Sequence, residues 1–211
     1  MELVTKRKQC SCGGNIYPVK PRSVSTVTLY TTSGIQNADH IRSSCQDCRK
    51  YFYFGYCSSQ QGKSAVQRRE FDEDALDQKY LITSHSTGFE IKLLYDWSLQ
   101  ILISFANFEG LSEIYNSLHG GDQNFDIRHN NEQNGGDGWL KLNEKRVREA
   151  WFTYALIELR QRYQLTGDIA TNIETAMEEN QYVLQDVFRQ RWSTHRCNID
   201  GCGSVIVIGN L

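Results

Sequence analysis

An α+β fold is the expectation for this chain of 211 residues, and three observations lead to it. Two close cysteine pairs near the N-terminus bracket a segment rich in β-branched and aromatic residues. Hydrophobic spacing changes to a helical period after residue 70. A third cysteine pair, followed by the short run Gly203–Ile208, stands at the other end. The expected architecture is a small metal-bound β module over residues 1–60 packed on a mainly α-helical domain over 71–192. Residues 193–211 would form a closing Cys-bearing strand element.

Each part has its own justification. Asn15–Lys20, Ser25–Thr32 and Tyr51–Tyr56 read as strands, the second rich in Thr and the third an aromatic run. Ser33-Gly34 and Asn37–Asp39 carry turn chemistry. Residues 58–70 are polar and read as a linker. After them Leu93, Leu94, Trp97, Ile101, Phe105 and Phe108 recur at helical intervals and predict one apolar face. Leu111, Ile114, Tyr115 and Leu118 predict a second short helix after Gly110. The Gly/Asn/Asp-rich stretch 120–138 reads as a long mobile loop. Val147, Ala150, Trp151, Tyr154, Ala155 and Leu159 predict a third helix. Ile173, Ala176, Met177, Leu184, Val187 and Phe188 predict a fourth, with the stop and restart at Thr166-Gly167-Asp168.

The seven cysteines carry the first chemistry. Cys10-x-Cys12-Gly-Gly and Cys45-x-x-Cys48 are two pairs 32 residues apart. Zn²⁺ takes four tetrahedral thiolate or imidazole ligands, and two distant knuckles supply them. The expected metal ligands are therefore Cys10, Cys12, Cys45 and Cys48, in a zinc-ribbon or treble-clef manner, with Zn²⁺ as cofactor. The glycines after the first pair permit a tight turn. His40 is an alternative ligand, and a disulfide framework or plain buried thiols are the competing readings. His195, Cys197 and Cys202 form part of a second candidate site, with a fourth ligand in Cys57 or beyond Leu211. Cys57 alone reads as a buried free thiol.

Charge is the second signal. The net charge is −2, which excludes a uniformly basic nucleic-acid binder. Residues 1–70 nevertheless hold 11 Lys/Arg against 4 Asp/Glu, and residues 71–150 hold 7 against 14. A basic body joined to an acidic one implies that only the first part faces a polyanion. The candidate nucleic-acid contacts are Lys6, Arg7, Lys8, Lys20, Arg22, Arg42, Arg49, Lys50, Arg68 and Arg69, with Lys63 between them. Exposed aromatics of Tyr51–Tyr56 would stack on unpaired bases, although one face of that strand must cover the core. The competing reading is a protein-interaction module that takes histone tails or another partner through the acidic half, with Asp72, Glu73, Asp74 and Asp77 as its contacts. A Cys57–His40 thiol and base pair is the one enzymatic reading, and no phosphate loop, dinucleotide fingerprint or metalloprotease motif occurs. No apolar run is long enough to span a membrane.

The order of these motifs is itself informative. C-x-C, a Thr-rich strand, C-x-x-C with an aromatic tail, TGFEIKLLYDWSLQILISFANFEGLSEIYN, EKRVREAWFTYALIELRQRY and HRCNIDGCGSVIVIGN follow one another. The sequence resembles the cysteine-cluster domains found N-terminal to transposases of the Kyakuja–Dileera–Zisupton (KDZ) group, in eukaryotic DNA transposons. The most specific parts are the segment Tyr80–Tyr115, the run Arg146–Trp151 and the last cysteine pair. The resemblance implies a zinc-stabilised nuclear module that engages DNA or chromatin beside a transposase or histone partner. It implies no enzyme, since the transposase catalytic domain is not among these residues. In the family the last cluster continues to further cysteines, whereas this sequence stops at Leu211.

Overall fold

The computed structural model describes residues 1–19, 24–58, 68–119, 141–165, 167–170, 172 and 174–182. Residues 1–173 make one compact unit and residues 174–211 another. Among the described residues the first unit is a mixed α/β fold of two sheets and three helices.

The first sheet begins with the hairpin of β3 (Val24–Thr31) and β4 (Gly34–Ile41), closed by a two-residue turn at Thr32-Ser33. Gly34 takes φ 115°, which a side chain would resist. The Glu90 carboxylate fixes this turn, accepting 2.8 Å bonds from the Thr32 N–H and hydroxyl. β1 (Glu2–Leu3) adds beside β4, while β10 (Thr87–Glu90) and β9 (Tyr80–Ile82) add beside β3. The order is β1-β4-β3-β10-β9, with β1–β4 and β3–β10 parallel. Asn37–Asp39, expected as a turn, lies inside β4. Alternation explains it: Asn37 and Asp39 point to solvent and Ala38 and His40 point inward.

The second sheet runs β11-β8-β7-β6-β5-β2, built from Ile169–Ala170, Arg68–Phe71, Tyr56–Ser58, Tyr51–Tyr53, Ser43–Cys45 and Ile16–Pro18 respectively. The aromatic run expected as one strand is a hairpin. It turns at Phe54-Gly55, where Gly55 adopts φ 78°. The pairing crosses the expected boundary between residues 60 and 71. β8 joins β7, and β9–β10 join β3, because these edges would otherwise leave their peptide groups unpaired.

A core lies between the sheets. Leu3, Val27, Leu29, Ala38, Tyr80 and Ile82 come from the first sheet; Tyr56, with Tyr53, Phe54 and Phe71 packed against it, comes from the second sheet and its hairpin turn. The other face of the first sheet carries α1 (Ile91–Ser104), α2 (Phe108–His119) and α3 (Glu144–Arg162). Tyr30 and Phe89 stack at 5.1 Å, and Trp97 and Tyr115 meet them edge-on. The Tyr115 hydroxyl donates to Thr31 O and accepts from Thr31 N–H, which pins α2 to the end of β3. Trp151 donates to Ser98 Oγ and ties α3 to α1. Asn143 caps α3 by accepting from the Arg146 N–H.

The apolar face expected from Leu93 through Phe108 is interrupted. α1 stops at Ser104, Phe105 takes a left-handed φ of 53°, and the next helix starts at Phe108, ahead of Gly110. Asn107 Oδ1 receives the Gly110 N–H at 2.7 Å and opens that helix. In the second unit residues 174–182 are helical. The expected loop at 120–138 and the expected strand Gly203–Ile208 lie outside the described residues.

His40 is buried beneath the second sheet. Its Nε2 accepts from the Phe54 N–H at 3.4 Å, and Tyr53 and Tyr56 flank the ring. Burial, with the nearby Arg69 and His85, pulls its pKa down to about 4 from an ordinary 6.5. The unfolded chain therefore binds a proton that the folded chain refuses. This part of the stability is complete above pH 6.5 and is lost as pH falls toward 4, to the extent of roughly 3 kcal/mol. Urea midpoints measured from pH 7 to 4 should fall accordingly, and a His40→Gln variant should show a flatter slope.

Candidate metal centre

The first knuckle is a turn that its own backbone closes. Cys10 N–H donates to Gly14 O, and Gly13 N–H donates to Cys10 O, both at 2.9 Å. Gly13 takes φ 90°, and the Gln9 side chain donates to Gly13 O. The second knuckle leaves β5 at Cys45, and Cys45 N–H donates to Lys50 O at 3.0 Å. Arg49 turns it with a left-handed φ of 58°. The antiparallel pairing of β2 with β5 places Ile16 opposite Cys45 and brings the knuckles together. They approach so closely that a Cβ on Gly14 would stand 2.7 Å from Cys45 Sγ and collide with the Asp47 carboxylate. Glycine at position 14 is therefore a packing requirement.

The outcome is a cluster of four sulfurs. The Sγ atoms of Cys10, Cys12, Cys45 and Cys48 all lie within 4.8 Å of one another. Cys10–Cys48 and Cys12–Cys45 are each 3.5 Å apart. Zn–S bonds of 2.3 Å in a tetrahedron require sulfurs about 3.8 Å apart, so the donor set fits such an ion. These four cysteines could hold a metal ion. Cys10 and Cys45 are buried while Cys12 and Cys48 face solvent.

The thiols do not ionise alike. Burial opposes ionisation of Cys10, but bonds from the Cys12 N–H and the Cys48 thiol bring it down to about 7. At Cys12 a bond from the Gly14 N–H favours the thiolate, yet the Cys45, Cys10 and Cys48 sulfurs outweigh it and push the thiol up to about 12. A cation that neutralises this crowding is needed before all four become thiolates.

Cys57 belongs to the same hydrophobic cluster as Cys10, Cys45 and Phe52 without joining the four. Its fully buried thiol donates to Glu70 Oε2 at 3.6 Å, and Arg7 stands 3.9 Å from its sulfur. Burial and Glu70 push it up to about 11, which makes it a poor nucleophile. His40 lies outside the group of four sulfurs, and its Nε2 accepts from the Phe54 N–H. His195, Cys197 and Cys202 lie outside the described residues, as do Lys20, Arg22 and Lys63.

The basic residues are divided by the fold. Arg7 pairs with Asp72 at 2.7 Å and Glu70 at 3.8 Å. Lys50 pairs with Glu70 at 2.5 Å, and this bond, chiefly, lowers the Glu70 pKa. Lys6 reaches Asp74 at 3.7 Å, and Arg68 reaches Asp168 at 3.4 Å. Arg42 lies over the Tyr51 ring. Arg69 is only 5% exposed. It donates to the carbonyls of Ile82 and Thr83 and covers the Tyr56 ring at 4.7 Å. Among the ten expected contacts, Lys8 and Arg49 are exposed, flank the two knuckles and have no carboxylate partner among the described residues. The aromatic run is likewise spent inside: Phe52 and Tyr56 are buried, and Tyr53 stacks on Tyr56 at 4.9 Å.

The acidic partners Glu70, Asp72 and Asp74 were not among the residues expected to meet the basic ones. Their signal was present in the opposite charges of adjacent segments, which serve here to tie the N-terminus to β8.

A strand-bound cluster of four cysteines, with a sheet-and-helix body behind it, defines a cysteine-cluster module. The family model described as CxC5 like cysteine cluster associated with KDZ transposases matches residues 3–119, and the chain belongs to that family. The matched span contains all four clustered cysteines, the β3–β4, β6–β7 and β9–β10 hairpins, and α1 and α2. No curated protein and no solved structure matches the chain.

Proposed function

We propose that this chain is a zinc-stabilised, non-catalytic module that engages DNA or chromatin in the nucleus, in the manner of the N-terminal region of a KDZ-type transposase. The observation that carries the reading is the convergence of Cys10, Cys12, Cys45 and Cys48 within 4.8 Å. An all-sulfur set with no carboxylate suits Zn²⁺. Two knuckles borne by paired strands suit a zinc-ribbon-like arrangement. Four ligands from the protein leave no open position, so the ion's part is structural.

Lys8 and Arg49 are exposed and flank one knuckle each, so metal closure would draw their charges toward one edge. Lys6 extends that edge, since its ion pair with Asp74 is solvent-exposed and gives way easily. The acidic half supports a histone-tail reading less well, because its buried Asp72 already holds Arg7 at 2.7 Å.

The test is fluorescence anisotropy of labelled duplex DNA with the zinc-loaded chain at several salt concentrations. Affinity should fall steeply with salt. A Lys8→Glu/Arg49→Glu variant should bind at least ~10-fold more weakly and lose about 2 from the salt slope. Arg69→Gln should leave that slope unchanged, because its guanidinium points inward. Absence of binding at ~50 mM salt would overturn the DNA reading.

A further inference from the structure

The clustered sulfurs form two couples that cross from one knuckle to the other. Cys10 Sγ lies 3.5 Å from Cys48 Sγ, and Cys12 Sγ lies 3.5 Å from Cys45 Sγ. Each couple joins an exposed cysteine to a buried one, Cys48 to Cys10 and Cys12 to Cys45. In that arrangement a thiolate open to an oxidant has a sheltered thiolate beside it to resolve the product. A disulfide holds its sulfurs about 2.0 Å apart, so each couple closes by about 1.5 Å. Side-chain rotation supplies that movement, because the backbone is already held. β2 pairs with β5 at Ile16 and Cys45, and the bonds from the Cys10 and Gly13 N–H groups close the first knuckle. Cys57 is the contrast. It packs with Cys10 and Cys45 but is fully enclosed, which shields it from an oxidant.

We propose that Cys12 and Cys48 are sites of oxidation by peroxides, and that the product is a pair of cross-knuckle disulfides, Cys12–Cys45 and Cys10–Cys48. The displaced ion is the Zn²⁺ proposed above, whereas the pairing rests on the sulfur positions alone. With Zn²⁺ bound all four sulfurs are thiolates, the form that reacts. Cys12 Sγ attacks one oxygen of hydrogen peroxide. The O–O bond breaks, Cys12 becomes a sulfenic acid, and the other oxygen leaves as hydroxide and takes a proton from solvent. Cys45 Sγ then attacks the Cys12 sulfur. The S–S bond forms, the S–O bond breaks, and the departing hydroxide also becomes water. Two electrons pass from the two sulfurs to one peroxide, which is reduced to two waters. Cys48 and Cys10 repeat the sequence with a second peroxide. Disulfide sulfurs carry no charge with which to hold a cation, so the ion is released. The knuckles stay tied, because the new bonds join residues 33 and 38 apart in the chain.

Peptide mapping of the full chain tests this. The zinc-loaded chain is treated with hydrogen peroxide, denatured in N-ethylmaleimide and cut with trypsin. Cleavage after Lys8, Arg22, Arg42, Arg49 and Lys50 leaves Cys10 and Cys12 on one peptide, Cys45 and Cys48 on a second and Cys57 on a third. Oxidation should join the first two, with fragmentation placing the bonds at Cys10–Cys48 and Cys12–Cys45. Cys57 should carry the maleimide. Zinc release, read with a chromogenic chelator, should keep step with the link, and dithiothreitol should reverse the link. The oxidised chain should keep its strand circular dichroism in EDTA, whereas the reduced chain loses it. Bonds within a knuckle, Cys10–Cys12 or Cys45–Cys48, overturn the proposal. So does a link to the Cys57 peptide, or a chain whose four clustered thiols survive excess peroxide. A chain that forms both cross-links but binds no zinc upholds the pairing and overturns the zinc reading.

Discussion

Cys45→Ser should abolish binding of the proposed Zn²⁺ and unfold the strands that carry the knuckles. Cys45 is the most constrained of the four. It is buried, its N–H is tied to Lys50, it pairs across from Ile16, and its sulfur lies against Gly14. A serine oxygen is a poorer ligand for this ion and cannot reproduce a 2.3 Å thiolate bond. The strands concerned are short: β2, β5, β6 and β7 have three residues each. Such a sheet edge has little apolar area of its own, so a bound metal would supply folding energy there, on the order of 10–16 kcal/mol in small zinc peptides. Elemental analysis should show zinc lost relative to the parent chain, and circular dichroism should show reduced strand signal. EDTA should act on the parent chain in the same way. Lower pH should favour release, since protons compete for the thiolates. A Cys45→Ser chain that keeps its full zinc and its melting profile would remove the four-sulfur centre from the argument.

Phe89→Ala should lower stability by about 3–5 kcal/mol, the range for truncating a buried aromatic. The ring is fully buried, stacks on Tyr30 from β3 and meets Trp97 from α1. It therefore joins the strand hairpin of residues 24–41 to the helices after residue 90. Because β10 pairs with β3, whose Val27 and Leu29 share a core with Tyr56 of the second sheet, the loss should reach the knuckle-bearing half as well. Urea unfolding followed by tryptophan fluorescence and by zinc release should shift together in the variant. A helical signal that melts early while zinc release stays at the parent midpoint would mean that the two halves are independent after all.

Two features of the site were open to inspection in the sequence. Cysteine pairs at one- and two-residue spacings, the first followed by two glycines, have few physical uses other than holding a metal. Gly13 and Gly14 each serve a steric purpose: one takes a left-handed turn and the other admits a neighbouring sulfur. The third helix was readable from Val147, Ala150 and Tyr154 because a packed helix leaves a 3.6-residue period in the chain.

Other features were not readable, for reasons that are equally physical. The segment 68–90 carries short strands of three and four residues, too brief to leave a period. Asn37 and Asp39 favour turns in isolation, yet the ladder with β3 holds them extended with their side chains in water. Phe105 fits a helical stripe by spacing, but the chain turns left-handed there and leaves it in solvent.

Residue type and local spacing thus determined the cysteines that cluster, the period of the third helix and the segregation of charge, since ligand preference and helical period act over a few residues. Only the tertiary structure decided which cations remain available. Arg7, Lys50 and Arg69 look like Lys8 and Arg49 in the sequence. Glu70, Asp72 and the carbonyls of Ile82 and Thr83 claim the first three, and they do so through sheet pairing between segments remote in sequence.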